Sequence, residues 1–100
     1  MNAVIEDSHL ILRFEEALTS TTVHRLRMQY LQTLEESAGI TAITADISHV
    51  SMIDSQGLNF IIGIFNDSKT RNFVFKLTGA SQANRKLFAL VNLQDHIPIG

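Results

Sequence analysis

Three residues in the stretch SMIDSQGL (51–58) carry groups that could do chemistry: the Asp54 carboxylate, the Ser55 hydroxyl and the unhindered backbone of Gly57. The stretch lies between a strand-like and a helix-like apolar run, so these residues are predicted to begin a helix. There, Asp54 or Ser55 can accept a hydrogen bond from a first-turn N–H group. The same amides and the helix dipole favour negative charge, so a phosphate on Ser55 would be compatible with the helix. The spacing alone leaves both interpretations of Ser55 open.

The rest of the chain offers little material for catalysis or for metal binding. It has no cysteine, and its four histidines (His9, His24, His49 and His96) show no metal-ligand spacing. Neither a glycine-rich phosphate loop nor a nucleophile–base pair is recognisable. We therefore predict no enzyme, no metal and no cofactor, and the alternative of a small-molecule or nucleotide sensor has no motif to support it.

Length and composition predict one small domain over residues 1–100. The chain has 100 residues, of which 45% are hydrophobic, which is typical of a globular core. The net charge of −2 comes from interspersed signs, which argues against direct nucleic-acid binding. No apolar run approaches the roughly 20 residues of a membrane span. The first ten residues lack the pattern of a secretory signal, so we expect a cytoplasmic protein.

Hydrophobic periodicity predicts strands that alternate with helices. Strands are predicted over 3–5, 9–14, 40–47 and 72–79, with 96–99 as an optional edge strand, and helices over 21–37, 55–69 and 82–91. The first two strands are expected to form a hairpin. The later alternation implies parallel pairing through right-handed crossovers, with the third strand inside the sheet. The fold class is therefore α/β.

The loop that leaves the third strand is the predicted site, because functional groups in such sheets gather at the carboxyl ends of strands. Asp46 ends this strand and is predicted to shape the loop together with Ser48. His49 lies on the candidate contact surface, with a solvated loop residue as the alternative. Gly57 would allow a partner to approach closely.

The helix predicted to begin at Ser55 has more apolar surface than one core face requires. At about 100° per residue, the stripe expected to face the sheet is Leu58, Ile61, Ile62 and Phe65. Phe60 and Ile64 fall on a neighbouring face, toward which Gln56 also lies. Adjacent exposed apolar groups often mark a partner surface. We therefore predict partner binding there, with coverage by another helix as the alternative.

The segment ADISHVSMIDSQGL (45–58) resembles the signature of STAS domains, the family of bacterial anti-sigma factor antagonists. The shared pattern is a strand ending in Asp-Ile-Ser, a loop with a valine, and Asp-Ser-x-Gly-Leu opening a helix. Residues 77–93 resemble the last strand and helix of the family, so the resemblance covers nearly the whole chain. It implies a mixed, mainly parallel sheet of four to five strands with helices packed chiefly on one face.

The resemblance also implies a function by partner switching. In this family the unphosphorylated protein binds an anti-sigma factor that is also a serine kinase. Phosphorylation of the serine that matches Ser55 breaks the complex, and a PP2C-type phosphatase restores it. The expected contact surface consists of Asp54, Ser55, Gln56, Gly57, Phe60, Ile64 and His49.

One segment departs from the family pattern. Members often carry Gly-Glu-Leu/Ile-Asp after the second strand, whereas residues 16–19 are EALT, so Glu16 replaces the glycine and Thr19 replaces the aspartate. Thr19 is still expected to cap the first helix. The departure favours an alternative function, a constitutive STAS interaction module of the lipid-transport or stressosome kind that phosphorylation does not control.

Overall fold

A computed structural model describes residues 1–100 as four strands and three α-helices. The strands are β1 (Asn2–Glu6), β2 (His9–Arg13), β3 (Ala42–Asp46) and β4 (Val74–Thr78). The helices are α1 (Val23–Glu36), α2 (Ser55–Thr70) and α3 (Gln82–Leu90), followed by a 3-10 turn at Leu93–Asp95. The element order and the α/β class confirm the prediction, and the bounds agree to within one or two residues.

The sheet has the order β1-β2-β3-β4. β1 and β2 form an antiparallel hairpin, while β3 pairs in parallel with both β2 and β4. β3 is thus an interior strand, as its β-branched, apolar sequence predicts. The optional fifth strand is reduced to one isolated bridge between Leu77 and Ile99. There the Pro98 carbonyl accepts the Leu77 N–H at 3.0 Å, so the last residues cover the free edge of β4.

One face of the sheet forms the core, and the helices pack on that face. The buried side chains of this layer are Leu10, Leu12, Phe14, Ile43, Ala45, Ile47, Phe75 and Leu77. Each large side chain among them contributes about 1.5–3 kcal/mol relative to an exposed position. The opposite face carries His9, Thr44 and Lys76 and has no helix over it; His9 and Thr44 are hydrogen-bonded to each other there. This arrangement confirms the prediction of helices on one face.

α2 packs through a broader face than the predicted stripe, which itself lies against the core. Its buried residues are Gly57, Phe60, Ile61, Ile64 and Ser68. The Phe60 ring meets the rings of Phe14 and Tyr30 edge-on, at centroid distances of 5.7 and 6.3 Å. Edge-to-face pairs at such distances contribute beyond their buried area. Because Tyr30 lies on α1, this cluster fixes α1 against α2.

The predicted exposure of Phe60 and Ile64 is wrong. The two side chains are 4% and 0% exposed, since α1 and the sheet cover them. They belong to the core and offer no exposed apolar surface to a partner. The alternative, coverage by another helix, is what the structure shows. Leu58, Ile62 and Phe65, which were expected to face the sheet, are half-buried and pack against the core. The Phe65 ring lies 6.0 Å from the ring of Phe75 in β4.

Gly57 is also buried, and packing inside the domain leaves no room for a larger side chain there. A Cβ atom at this position would lie 1.9 Å from the carbonyl oxygen of Leu18. Real structures do not tolerate such a contact with backbone. The expectation that Gly57 opens the surface to a partner is therefore wrong, because the segment before α1 already occupies the space.

Two alanine substitutions in α2 separate this contact from helix propensity. Gly57→Ala should destabilise the fold by about 1–3 kcal/mol, since a backbone segment must move to admit the methyl group. Gly63→Ala should be neutral or stabilising by up to about 1 kcal/mol, because its Cβ would meet only the flexible end of Arg27, at 3.3 Å. Urea unfolding curves measure both. Equal effects of the two substitutions would contradict the Leu18 contact.

Candidate functional site

The site begins at Asp46, where β3 ends. One oxygen of its carboxylate accepts the backbone N–H of Ser48 at 3.0 Å, and the other lies 3.6 Å from Arg13 Nε. Burial raises the pKa of Asp46, but the hydrogen bonds from Ser48 and the charge of Arg13 outweigh it and hold the pKa below its ordinary value. The carboxylate therefore stays ionised and turns the chain into the β3–α2 loop.

The β3–α2 loop is held from two sides. On one side Leu18 donates its N–H to the Met52 carbonyl at 2.9 Å and accepts the Asp54 N–H at 3.1 Å. On the other, the buried amide of Asn84 in α3 donates to the Val50 carbonyl at 3.1 Å. Neither set of hydrogen bonds was predicted from the sequence. Asn84 lies one helical turn before the buried Phe88, and a polar residue at that spacing from an aromatic one is the signal that could have found it.

Asp54, and not Ser55, caps α2. Its Oδ1 accepts the Gly57 N–H and its Oδ2 accepts the Ser20 N–H, both at 2.9 Å. The bond from Gly57, followed by the bond from Ser20, lowers the pKa of Asp54 below its ordinary value. Ser55 is the first residue of the helix and is exposed. Its hydroxyl is consequently not used to stabilise the helix.

The other predicted contact residues divide by exposure. Gln56 and His49 are exposed, as is Ser48, which was predicted to shape the loop. His49 Nδ1 lies 3.3 Å from the Ser48 hydroxyl. Together with Ser55 they lie on the loop and first turn at the carboxyl end of β3. Sequence reasoning missed Met52, whose side chain is 56% exposed in the same loop. Met52, rather than Phe60 or Ile64, is the apolar group available near Ser55.

A groove of about 290 Å³ runs between α1 and α2 beside the first turn of α2. Its lining residues are Val23, His24, Arg27, Gln56, Asn59 and Phe60. The ion pairs of the chain involve Arg13 and Arg25, so the charge of Arg27 is not paired with an acidic side chain. The surface next to Ser55 is thus a polar groove with basic groups on its α1 side.

The EALT segment packs inward. Thr19 is 8% exposed, and its hydroxyl lies 2.9 Å from that of Thr21. The expectation that Thr19 caps α1 is wrong, because the N-cap residue is Thr22. The Thr22 hydroxyl donates to the Ala17 carbonyl at 2.7 Å and so closes the turn. Glu16 is paired with Arg25. Thr19 therefore offers no charged group to a partner.

The sequence model of the STAS domain matches residues 1–100, which is the whole chain. The chain belongs to the STAS domain family. Within this STAS domain, the Asp-Ser-x-Gly-Leu motif that begins at Asp54 divides into a cap, an exposed hydroxyl and a buried glycine.

Solved structures share this fold at low sequence identity. A proposed anti-sigma factor antagonist from Thermotoga maritima is 23% identical, with a TM-score of 0.89 over 98% of this chain and 83% of that one. The Bacillus anti-sigma factor antagonist SpoIIAA in its unphosphorylated form is 17% identical, with a TM-score of 0.74 over 99% of this chain and 86% of that one. A chain of the stressosome, a signal integration and transduction hub, is 19% identical, with a TM-score of 0.76 over 98% and 85%.

Two further properties of the STAS domain bear on its chemistry. None of its helices is long and apolar enough to cross a bilayer. No three His, Asp or Glu side chains come together in a geometry that could hold a metal ion.

The cap geometry predicts how Asp54 affects stability as pH changes. The pKa of Asp54 in the folded chain lies below its ordinary value of 3.8, so the ionised carboxylate stabilises the fold above that pH. This contribution is lost as the pH falls through the lowered folded pKa. Asp54→Asn keeps an oxygen for Gly57 but places an amide NH₂ group against the Ser20 N–H or loses that bond.

Urea midpoints of the wild type and Asp54→Asn should therefore differ most at neutral pH. The difference should shrink below pH 3.8, where the wild-type carboxyl becomes neutral. Other carboxylates titrate alike in both proteins, so the difference isolates Asp54. A difference that is constant from neutral to acidic pH would contradict the charged cap.

Proposed function

We propose that this STAS domain is an anti-sigma factor antagonist that phosphorylation of Ser55 switches off. The observation that carries the proposal is that Asp54 and Ser55 have separate roles at the start of α2. Asp54 caps the helix, so Ser55 is left exposed in the first turn with a hydroxyl that the fold does not need. A kinase can therefore modify Ser55 without unfolding any part of the domain.

The local electrostatics support a phosphate at Ser55. It would add about 1.5 to 2 negative charges at the amino end of a 16-residue helix. The first-turn N–H groups and the helix dipole favour an anion at that end. The helix would accept the phosphate, and the effect of the modification would fall on the surface rather than on the core.

A partner that contacts this surface would respond strongly to the phosphate. In the unphosphorylated domain the surface presents the exposed Met52 side chain, the Gln56 amide and a groove with Arg27 on its α1 side. Phosphorylation places a divalent anion in the middle, one residue from the ionised Asp54. A partner would have to desolvate this charge or oppose it, and either requirement weakens binding.

The proposed partners are an anti-sigma factor with serine kinase activity and a PP2C-type phosphatase that reverses the modification. SpoIIAA, whose fold this chain shares, has also been solved in its phosphorylated form, at a TM-score of 0.72. This match supports the idea that the fold can carry the modification. In this proposal the domain works in the cytoplasm by binding and carries out no catalysis itself.

A second candidate function is a constitutive STAS interaction module. The fold match to a stressosome chain and the buried, uncharged Thr19 favour it. In that case the exposed Ser55 would be only a helix-terminal residue, and binding would not depend on its charge. Equal partner affinities of Ser55→Asp and its uncharged isostere Ser55→Asn would support this function.

Phosphoryl transfer to Ser55 can be tested directly. The protein is incubated with ATP and a histidine-kinase-like anti-sigma factor from the same genome, and its intact mass is measured. We expect the wild type to gain one phosphate and Ser55→Ala to gain none. Ser51→Ala, which removes another exposed serine of the same loop, is the matched control and should be modified like the wild type. A phosphate that persists on Ser55→Ala would overturn the assignment.

A further inference from the structure

One edge of the sheet is covered by other residues of the chain and the other edge is exposed. The edge of β4 is covered, because Leu77 exchanges backbone hydrogen bonds with Pro98 and Gly100. The edge of β1 has no such cover, and residues 2–6 (NAVIE) contain no lysine and no proline. The β1–β2 ladder is continuous, without a bulge. Natural proteins usually protect an exposed edge by one of these devices, because bare N–H and C=O groups pair readily with another strand.

The pattern of hydrogen bonds shows which backbone groups of β1 are free. The backbone N–H and C=O groups of the even-numbered residues in and beside β2 point toward β3. At the two ends, the Ser8 carbonyl accepts the Thr41 N–H and the Phe14 N–H donates to the Asp46 carbonyl. The odd-numbered residues of β2 therefore bond to β1, and their register partners there are Asn2, Val4 and Glu6. It follows that the N–H and C=O groups of Ala3 and Ile5 point outward from the sheet edge.

These free groups are complementary to themselves. In an antiparallel pair centred on Val4, Ala3 of one copy lies opposite Ile5 of the other, and each such pair exchanges two hydrogen bonds. This register uses all four outward groups of both strands. A slip of two residues would leave at least one outward pair outside the strand. The geometry thus selects one symmetric register.

The side chains fit the same register. Ile5, which is 48% exposed, would cover Ala3 of the second copy on the helix-bearing face of the sheet. On the opposite face the two Val4 side chains would meet at the symmetry axis, and Asn2 would lie opposite Glu6. No two like charges face each other, and the Asn2 amide can donate to the Glu6 carboxylate. Cross-strand pairs of these kinds each contribute a few tenths of a kcal/mol or more.

We propose that β1 is an association surface for a second copy of this chain. The two sheets would join edge to edge into one eight-stranded sheet with both helix layers on the same side. One five-residue strand per copy is a small interface, so the association should be reversible and should depend on concentration. The proposal uses none of the residues around Ser55 and stands independently of the proposed function.

Sedimentation velocity over a range of concentrations tests the proposal. The weight-average mass of the wild type should rise from 11.2 kDa toward twice that value as concentration increases. Ile5→Pro removes an outward N–H that β2 does not use, a position where an edge strand tolerates proline. It should remain a monomer with an unchanged circular dichroism spectrum.

A milder variant guards against misfolding of Ile5→Pro. Asn2→Asp leaves the backbone intact but places two carboxylates opposite each other in the paired edges, and it should weaken association by about tenfold or more. Asn66→Asp makes the same change of charge on the exposed side of α2 and should associate like the wild type. A wild type that stays at 11.2 kDa at its highest soluble concentration would overturn the proposal. Association of Ile5→Pro or Asn2→Asp equal to that of the wild type would also overturn it.

Discussion

The backbone of Leu18 is the constraint on which the site depends. Its N–H and C=O groups both bond to the β3–α2 loop, and its carbonyl oxygen occupies the space where a side chain of residue 57 would lie. Because the Leu18 side chain is fully buried, this segment cannot yield easily. The loop is therefore fixed between a strand and a rigid segment, and α2 can begin in only one place.

This fixed start gives neighbouring residues of one motif separate roles. Asp54 is turned inward to the free amides of Gly57 and Ser20, whereas Ser55 is turned outward into solvent. A hydroxyl that also capped the helix would destabilise α2 when modified. A capping carboxylate leaves the serine free, and the same helix end favours the charge that a phosphate would bring. In the proposed function, stability depends on Asp54 and regulation on the adjacent Ser55.

The strands and helices could be predicted from the sequence, but the buried face of α2 could not. Strand and helix bounds follow from periodicity and from local signals, such as Ser81, which caps α3 by accepting the Asn84 N–H. The most deeply buried face of α2 could not be predicted, because two overlapping apolar stripes, 58/61/62/65 and 60/61/64, lie on the same helix. The Tyr30–Phe60 contact and the close approach at Gly57 bury the second stripe fully, while the first packs half-buried against the core.

The hydrogen bonds that hold the β3–α2 loop could not be predicted from the sequence for a related reason. Asn84 and Leu18 act on the loop across many residues of sequence, through a side-chain amide and a backbone that no local pattern marks. The motif around Ser55 could be located from sequence because it is contiguous. Its geometry could not, since Asp54 and Ser55 are both good capping residues. Only the bond from the Gly57 N–H to Asp54 shows which one caps.

The most direct test of the account is the affinity of one anti-sigma factor for the unphosphorylated and the Ser55-phosphorylated protein, measured by calorimetry at fixed salt. We predict that the phosphate weakens binding by about tenfold or more, which corresponds to about 1.4 kcal/mol, while the fold and its thermal midpoint are retained. Equal affinities of the two forms would contradict it, as would a loss of binding that is accompanied by unfolding.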